Sequence, residues 1–459
     1  MTAVAQNERL KSFRRGIHPP YRKEYSEAEP IRFMLPKEGL LLPMSQHIGA
    51  PCAATVKPKT DVKYGEKIAD VDAFVSAPIH ATINGTTGAV SITAVPGGKR
   101  SPAIPLKPPS EGNVLPEGFF EQYLDRNWDS VEPTSYDPDE IISAIREAGL
   151  VGLGGATFPT HVKLKRNPDR PIDTLLLNGC ECEPYLTSDH RLMLEAPEAI
   201  VVGMQLAAHA AGIKRSIICI EDNKPDAIEA MRKAAQGRPG IEVAVCVTAY
   251  PMGGERQLIS AVLDRTVPSA PKGLPLDVGV VVVNVASAHC IARAVVHKLP
   301  LTHRVVAVTG GGVSKPGNYL VAVGTMFSEL IAHCGGTTET ARRVLAGGPM
   351  MGPTVPNLDI PVTKGVGGIT VMSEREAAWW KETPCIRCGK CVDYCPLYLS
   401  PTKIAHAVKA GDYEFATGYN MTACCECGCC AYVCPAHIPI TQYIKAGKNR
   451  WRTIVSQEK

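Results

Sequence analysis

The chain has no long apolar run. Its most apolar stretch, Val278 to Val283, falls far short of the roughly twenty residues that a membrane span needs, and Asn284, Ser287, His289 and Arg293 follow it closely. It also lacks an excess of charge of one sign. With 49 basic residues against 45 acidic ones and a net charge of +4, the overall balance calls for neither nucleic acid nor an acidic polymer as partner. The opening residues, Met1 to Glu8, hold no apolar h-region and no small-residue cleavage site, so no secretory signal is expected. These absences point to a cytoplasmic protein that meets a membrane only through partners.

Cysteine is what the chain has in quantity. There are seventeen, ten of them between Cys385 and Cys434, a density that suits metal binding in a reducing compartment better than a disulfide framework. The first ladder is Cys385, Cys388, Cys391 and Cys395-Pro396; the second is Cys424, Cys427, Cys430 and Cys434-Pro435. Both read C-x2-C-x2-C-x3-C-P, the spacing that places three thiolates on one [4Fe-4S] cube and sends the fourth to a neighbouring cube. The expected sets are therefore Cys385, Cys388, Cys391 and Cys434 for one cluster, and Cys424, Cys427, Cys430 and Cys395 for the other. Zinc or disulfides are the alternatives, but two full copies ending in Cys-Pro go beyond a CxxC pair. Cys425 and Cys429 fall outside the register and are expected to be bystanders. Ile386 and Tyr394, and Tyr432 and Val433, are expected to form a dry shell around the cubes.

At 459 residues the chain is too long for one core, and about three or four domains are expected. Residues 1–30 are basic and Pro-containing and read as an extended arm, with His18 exposed on it. Residues 31–104 alternate short apolar strands with turns, and Asn84-Gly85 is a two-residue hairpin signal. This stretch resembles the barrel-sandwich hybrid fold of biotinyl and lipoyl carriers. Those carriers present a lysine at the hairpin tip, and none stands beside Asn84-Gly85, so a docking module is expected rather than a swinging carrier. Residues 105–136 are Pro-rich and polar and read as a linker, after which Asp137 opens a helix with acidic residues in its first turn.

Over residues 137–300, apolar runs at Leu175 to Leu177, Ser216 to Ile220, Val243 to Val247 and Val278 to Val283 read as buried strands, with helices over 190–212 and 224–236: a parallel α/β sheet. Residues 301–372 read as a hairpin with Pro316-Gly317 in its turn and a helix near Phe327 to His333, a small β-grasp-like domain. Residues 376–450 are the helical cluster module, with a helix near Thr402 to Lys409 between the ladders.

Within the α/β domain, Gly149-Leu-Val-Gly152-Leu-Gly154-Gly155-Ala-Thr-Phe158, leading to Lys163, brings glycines where a loop can approach a ligand closely. Its N–H groups can cradle a phosphate or a flavin edge, and Lys163 adds a cation; composition alone leaves open a loop that merely turns tightly. After the next strand comes Asn178-Gly-Cys-Glu181-Cys-Glu183-Pro184, an amide and two carboxylates at a strand end, where parallel sheets bind ligands. Cys180 and Cys182 have no partner pair and are expected to be buried as small apolar residues.

These two segments, together with Tyr250-Pro-Met-Gly253-Gly254-Glu255 and Asn284-Val-Ala-Ser287, occur in the same order as the FMN and NADH site of the flavin subunit of respiratory complex I, which they resemble. With a sandwich in front and two ladders behind, the whole chain resembles the peripheral NADH-oxidising subunits of the Rnf complexes, ion-translocating ferredoxin:NAD oxidoreductases of prokaryotic membranes. The resemblance implies a multidomain α/β protein with an N-terminal barrel-sandwich hybrid, an FMN/NADH-binding α/β domain, a β-grasp SLBB-like domain and a ferredoxin-like module with two [4Fe-4S] clusters. It implies that Gly152, Gly154, Gly155 and Lys163 line FMN, that Asn178 and Glu181 bond the isoalloxazine or the nicotinamide amide, and that Phe158 stacks on NADH. Glu181 and Phe158 thereby become the candidate catalytic residues. Glu183 and Glu255 would serve the dinucleotide, Asn284 and Ser287 the FMN phosphate, and Tyr250 belongs to the same cofactor-binding set. The complex I pattern differs at Leu153, Thr157, Cys180 and Gly254, where it has arginine, glycine, aspartate and glutamate.

The function this implies is an oxidoreductase of the translocase class. NADH delivers two electrons and each cluster accepts one, so a flavin must stand between them. Electrons would continue to membrane flavoprotein and ferredoxin-like subunits, and indirectly to ferredoxin, from the cytoplasmic face of a prokaryotic membrane, coupled to Na+ or H+ movement. A soluble cobalamin reductase, which usually lacks the sandwich, and a non-catalytic cluster scaffold are the alternatives.

Overall fold

Uninterrupted Leu, Ile and Val runs leave no polar face to meet water, and the strands they form are covered on both sides. The computed structural model, which describes residues 10–125, 127–128, 130–269 and 273–457, has three such strands in its α/β domain, Thr174–Asn178, Arg215–Glu221 and Val280–Asn284, and a partly buried edge strand, Ile241–Cys246. All pair in parallel, with Leu176 opposite Ile217 on one side and Val282 on the other. The spatial order runs Ile241–Cys246, Arg215–Glu221, Thr174–Asn178, Val280–Asn284. The chain thus winds outward on one side of Thr174–Asn178 and returns on the other, which opens a crevice between Thr174–Asn178 and Val280–Asn284 at their C-terminal ends.

Helices Pro197–Ala211 and Val285–Val296 cross closely, because a side chain at Gly203 would lie 1.7 Å from the Ala288 carbonyl oxygen. Helix Pro138–Glu147 starts where Asp137 accepts from the N–H groups of Asp139 and Glu140 at 2.9 and 3.1 Å.

The N-terminal sandwich has two layers. Leu40–Pro43, Arg100–Lys107, Gly85–Thr87 and Asp61–Val62 form one sheet, with Ser91–Ala94 also on Arg100–Lys107; Ala53–Ala54, Lys67–Asp70 and Ile79–His80 form the other. Leu42, Ile68, Ile83 and Leu106 fill the space between them. Here Asn84-Gly85 departs from the hairpin expectation. Ile79–His80 and Gly85–Thr87 belong to different sheets, so the dipeptide marks a crossover rather than a turn between paired strands. Its glycine answers to packing, since the Lys107 carbonyl oxygen would lie 2.2 Å from any Cβ there.

Two further expectations about this region are corrected. Ile31–Phe33 is not part of the sandwich but the edge of the third domain's sheet, parallel to Asn318 to Leu320. The segment after residue 104 is not a bare linker: strand Arg100–Lys107 runs into it, and Phe119, Tyr123 and Trp128 are buried. Those three aromatics supply the anchoring that composition, dominated by Pro and polar residues, conceals.

The third domain's sheet has the order Ile31–Phe33, Gly317–Ala322, His303–Thr309, Gly368–Ser373, Ala341–Ala346, packed by helix Phe327–His333. Lys364 ties the first three domains together. Its buried Nζ donates to the carbonyls of Pro78 and Gly149, each at 2.7 Å, and burial pulls its pKa down to about 8. The cluster module is helical, with Pro401–Lys409 packed on Ile440–Gln457 through Ile404, Val408 and Ile444. Among the described residues no helix is long and apolar enough to cross a membrane.

Residues 1–9 of the expected arm lie outside the described residues. From Leu10 the arm runs extended along the α/β domain. Lys11 bonds on both sides of Cys246, and Ile17 exchanges two 2.8 Å hydrogen bonds with Tyr250. His18 is exposed on this strap.

Candidate functional site

Asn178 and Asn284 face each other in register at the crevice. Asn178 braces it from one side: Nδ2 donates to the Gly253 carbonyl at 2.9 Å and Oδ1 accepts from Cys180 N–H at 3.1 Å. Asn284 braces the other side by capping helix Val285–Val296, its Oδ1 accepting from Ala286 and Ser287 N–H, while Nδ2 donates to Asp189 at 2.7 Å.

The glycine loop lies over this pair. Gly152 N–H donates to the Phe158 carbonyl and Thr157 N–H to the Gly152 carbonyl, closing the loop, and Ser287 Oγ accepts from Leu153 N–H at 2.9 Å. Gly154, Gly155 and Ala156 are exposed, and among the described residues their N–H groups have no partner. A Cβ on Gly155, at φ +104°, would meet nothing within 4 Å, and one on Gly154 would touch only Asn284. Three adjacent unpaired N–H donors above open space are what an anionic or carbonyl-bearing ligand requires, so the loop fits a flavin nucleotide. Thr157 sits at φ +51°, a conformation that favours glycine, where the complex I pattern has glycine.

The remaining candidates divide by where their polar atoms point. Lys163 donates to the Val282 carbonyl at 3.0 Å and pairs with Glu255 at 3.3 Å, so these two form one partly exposed unit at the crevice. Phe158 is half-buried beside the loop. Glu181 is buried and turned inward. It accepts from Ser188 Oγ and from the N–H groups of Asp189 and His190, capping helix Ser188–Glu195. Glu183 accepts from Met350 and Met351 N–H at 3.2 and 2.8 Å, so its carboxylate holds a loop of the third domain; burial pushes it up to about 7.

Sequence reading passes over Asp189 and Arg304. Burial, with Glu181 alongside, raises the Asp189 carboxyl to about 7, and its bond to Asn284 makes it the floor of the crevice. Arg304 is buried behind the loop and contacts the Leu153 carbonyl at 3.4 Å. The one signal available for it was a cation inside the apolar strand His303–Thr309. Lys23 of the arm, also buried, donates to the Glu183 and Leu186 carbonyls.

In the C-terminal module, Cys395, Cys424, Cys427 and Cys430 line a single cavity, together with Leu397, Leu399 and Ile444. The fourth cysteine of the first ladder has thus crossed to the second. Cys434, in turn, is an electrostatic neighbour of Cys391 along with Cys385 and Cys388. Four cysteines lining one apolar cavity fit the donor set of an inorganic cube. Cys425 and Cys429 line the same cavity, Cys425 exposed and Cys429 buried with its Sγ 4.0 Å from the Tyr250 carbonyl oxygen.

Of the expected dry shell only Val433 packs inward, against the apolar cluster that holds Cys427 and Cys429. Ile386 is 68% exposed, Tyr394 42% and Tyr432 51%, so these residues face solvent and the apolar lining comes from Leu397, Leu399 and Ile444 instead. Tyr250 is also placed differently from a ligand-facing residue. Its buried hydroxyl donates to the Cys427 carbonyl at 2.7 Å. Cys180 and Cys182 are buried in the same apolar cluster as Tyr250, Cys427 and Cys429.

Comparison with known proteins divides the chain in the same sequence of parts. Residues 11–111 match the RnfC barrel sandwich hybrid domain, 145–293 the Nuo51 FMN-binding domain, 305–354 the SLBB domain and 384–439 a 4Fe-4S dicluster domain. Fold and site therefore define a modular protein that joins an FMN-binding α/β domain to an iron-sulfur module. A subunit of the proton-translocating ferredoxin:NAD(+) oxidoreductase complex of Clostridium ljungdahlii is 42% identical over 98% of this chain and 96% of its own length. The corresponding subunit of the Na(+)-translocating complex of Acetobacterium woodii is 41% identical over 87% of this chain and 88% of its own, and that of the ion-translocating oxidoreductase complex of Rhodobacter capsulatus is 41% identical over 88% and 76%. The chain belongs to the RnfC family, to which these subunits of ion-translocating ferredoxin:NAD oxidoreductase complexes belong.

Proposed function

We propose that this chain is the NADH-binding flavin and iron-sulfur subunit of an Rnf electron-transport complex, carrying electrons between NADH and two [4Fe-4S] clusters in ion-coupled ferredoxin:NAD oxidoreduction. One observation carries the reading. The α/β domain that bears the glycine loop with its unpaired N–H groups is tied to the module that bears the thiol-lined cavity by a buried hydrogen bond from Tyr250 to Cys427, so a two-electron site and a one-electron site sit on directly packed domains.

NADH gives up a hydride, two electrons with one proton, whereas each cube accepts one electron and no proton; bound FMN supplies the conversion between them. The chain's own residues hold and orient. Gly154, Gly155 and Ala156 would receive the flavin through N–H groups, with Asn178 and Asn284 fixing the walls of the crevice. Lys163 offers a cation at its edge, tethered by Glu255 so that it remains in reach. Phe158 would cover the nicotinamide and help exclude water. Glu181 acts through the helix it caps, holding Asp189 and hence Asn284 in place. Cys385, Cys388, Cys391 and Cys434 would hold one cube, and Cys395, Cys424, Cys427 and Cys430 the other.

The sandwich is read as a docking module for the membrane subunits, which places the chain peripherally on the cytoplasmic face, with a membrane flavoprotein and a ferredoxin-like protein of the same complex as partners. Anaerobically reconstituted protein loaded with FMN and both clusters should reduce an artificial dye with NADH, and it should copurify from membranes with an integral flavoprotein. A fully loaded protein that leaves the dye oxidised would support the scaffold reading instead.

A further inference from the structure

The turn from Cys427 to Cys430 is held from outside its own module. Tyr250, 1% exposed and on the α/β domain, donates its hydroxyl to the Cys427 carbonyl at 2.7 Å. The neighbouring Gly428, at φ +86°, lies so close to the third domain that a Cβ would stand 2.9 Å from the Met350 carbonyl oxygen. Met350 is in turn fixed by Glu183, which accepts its N–H at 3.2 Å. Tyr250 itself cannot shift freely, because its backbone exchanges two 2.8 Å hydrogen bonds with Ile17 of the arm. The arm also reaches the first ladder: Arg15 donates to the Val392 carbonyl at 2.8 Å and lies over the Tyr398 ring at 4.1 Å, on either side of Cys395.

The contacts of Tyr250 and Met350 fall on Cys427 and Gly428, which line the cavity shared by Cys395, Cys424, Cys427 and Cys430, and Arg15 is an electrostatic neighbour of Cys395. The other four thiols receive no such brace from Tyr250. We infer that Tyr250 is a positioning residue for the cube held by Cys427, fixing that cube against the flavin domain and setting its potential through the hydroxyl on the Cys427 carbonyl. This inference rests on the proposed function for the identity of the cube, but it concerns one side chain and one of two clusters. The physical basis is direct. A donor whose positive end faces a cluster loop stabilises the more negative, reduced state, and in a dry site that effect is weakly screened.

The test is Tyr250→Phe in the full chain, which keeps the ring and deletes only the hydroxyl. Both clusters are titrated anaerobically with dithionite under electron paramagnetic resonance, a measurement that needs neither NADH nor FMN. The expected result is a more negative midpoint potential for one cluster with the other unmoved, and slower NADH-driven reduction of the displaced one. Loss of one cube with retention of the other is the stronger form of the same outcome. Arg15→Gln, which cuts the exposed end of the brace, should shift the same cluster in the same direction but less. Two clusters with unchanged potentials in Tyr250→Phe would overturn the inference. Normal dithionite titration with no reduction by NADH in the unaltered protein would instead count against the proposed function, so the two failures are distinguishable.

Discussion

Asn284 holds Asp189 at 2.7 Å while capping its own helix with the same side chain, so one amide links the floor of the crevice to its wall. Replacing Asn284 by alanine removes a helix cap worth about 1 kcal/mol and a partly buried hydrogen bond worth about as much again. Asn284→Ala should therefore lower stability by about 2 kcal/mol in denaturant titration, and it should weaken FMN retention. Asn284→Asp keeps a cap but sets a second carboxylate against Asp189. It should retain more stability at pH 5, where these acids share protons, than at pH 8.

Gly154 tests the loop. The nearest atoms to a Cβ there belong to Asn284, at 3.5 Å and beyond, so alanine fits without displacement. Gly154→Ala should keep flavin, whereas Gly154→Leu fills the space above Asn284 and should abolish FMN binding. Flavin released by acid and iron content are the two measurements. Iron should stay at the unaltered level in both variants, and flavin retained in the leucine variant would remove the loop from the site.

The ladder register predicts that Cys425→Ser and Cys429→Ser each keep full iron, and that Cys427→Ser loses one cube. Cys425 is exposed and Cys429 is turned toward the Tyr250 carbonyl, which agrees with bystander roles although both border the cavity. Iron and acid-labile sulfide per chain decide the matter. Loss of iron in Cys429→Ser would show that the register is shifted.

Glu183 gives a pH dependence. Its carboxyl is raised from 4.5 to about 7, chiefly by burial, so between those values the folded chain holds more protons than the unfolded one. Linkage then makes this group's contribution to stability fall as pH rises through that window. Glu183→Gln should flatten the slope of melting temperature against pH between about 5 and 7. An unchanged slope would mean that the carboxylate is not the group responsible.

Much of the architecture was legible because it is local. The runs Leu175 to Leu177 and Val278 to Val283 announce buried strands by composition, the second starting two residues later than expected, at Val280; Asp137 announces a helix start, and the ladder spacing states its own chemistry. Asn84-Gly85 misleads for an equally physical reason: glycine is demanded there by the nearby Lys107 carbonyl, and sequence does not separate that need from a tight turn. Ile31–Phe33 carries a strand pattern that is right, but its partner strand, at Asn318 to Leu320, lies far along the chain.

The sequence by itself determined the order of the parts, the iron-sulfur character of the C-terminal module and the positions of the loop and the strand ends, since each depends on spacing within a few turns of chain. Only the tertiary structure decided what the polar side chains do. Glu181 caps a helix, Glu183 holds Met350 and Met351, Lys163 pairs with Glu255, and Tyr250 reaches Cys427. A side chain of this kind has several possible partners of similar strength, and which one it finds is set by the distances that packing leaves when distant segments are brought together.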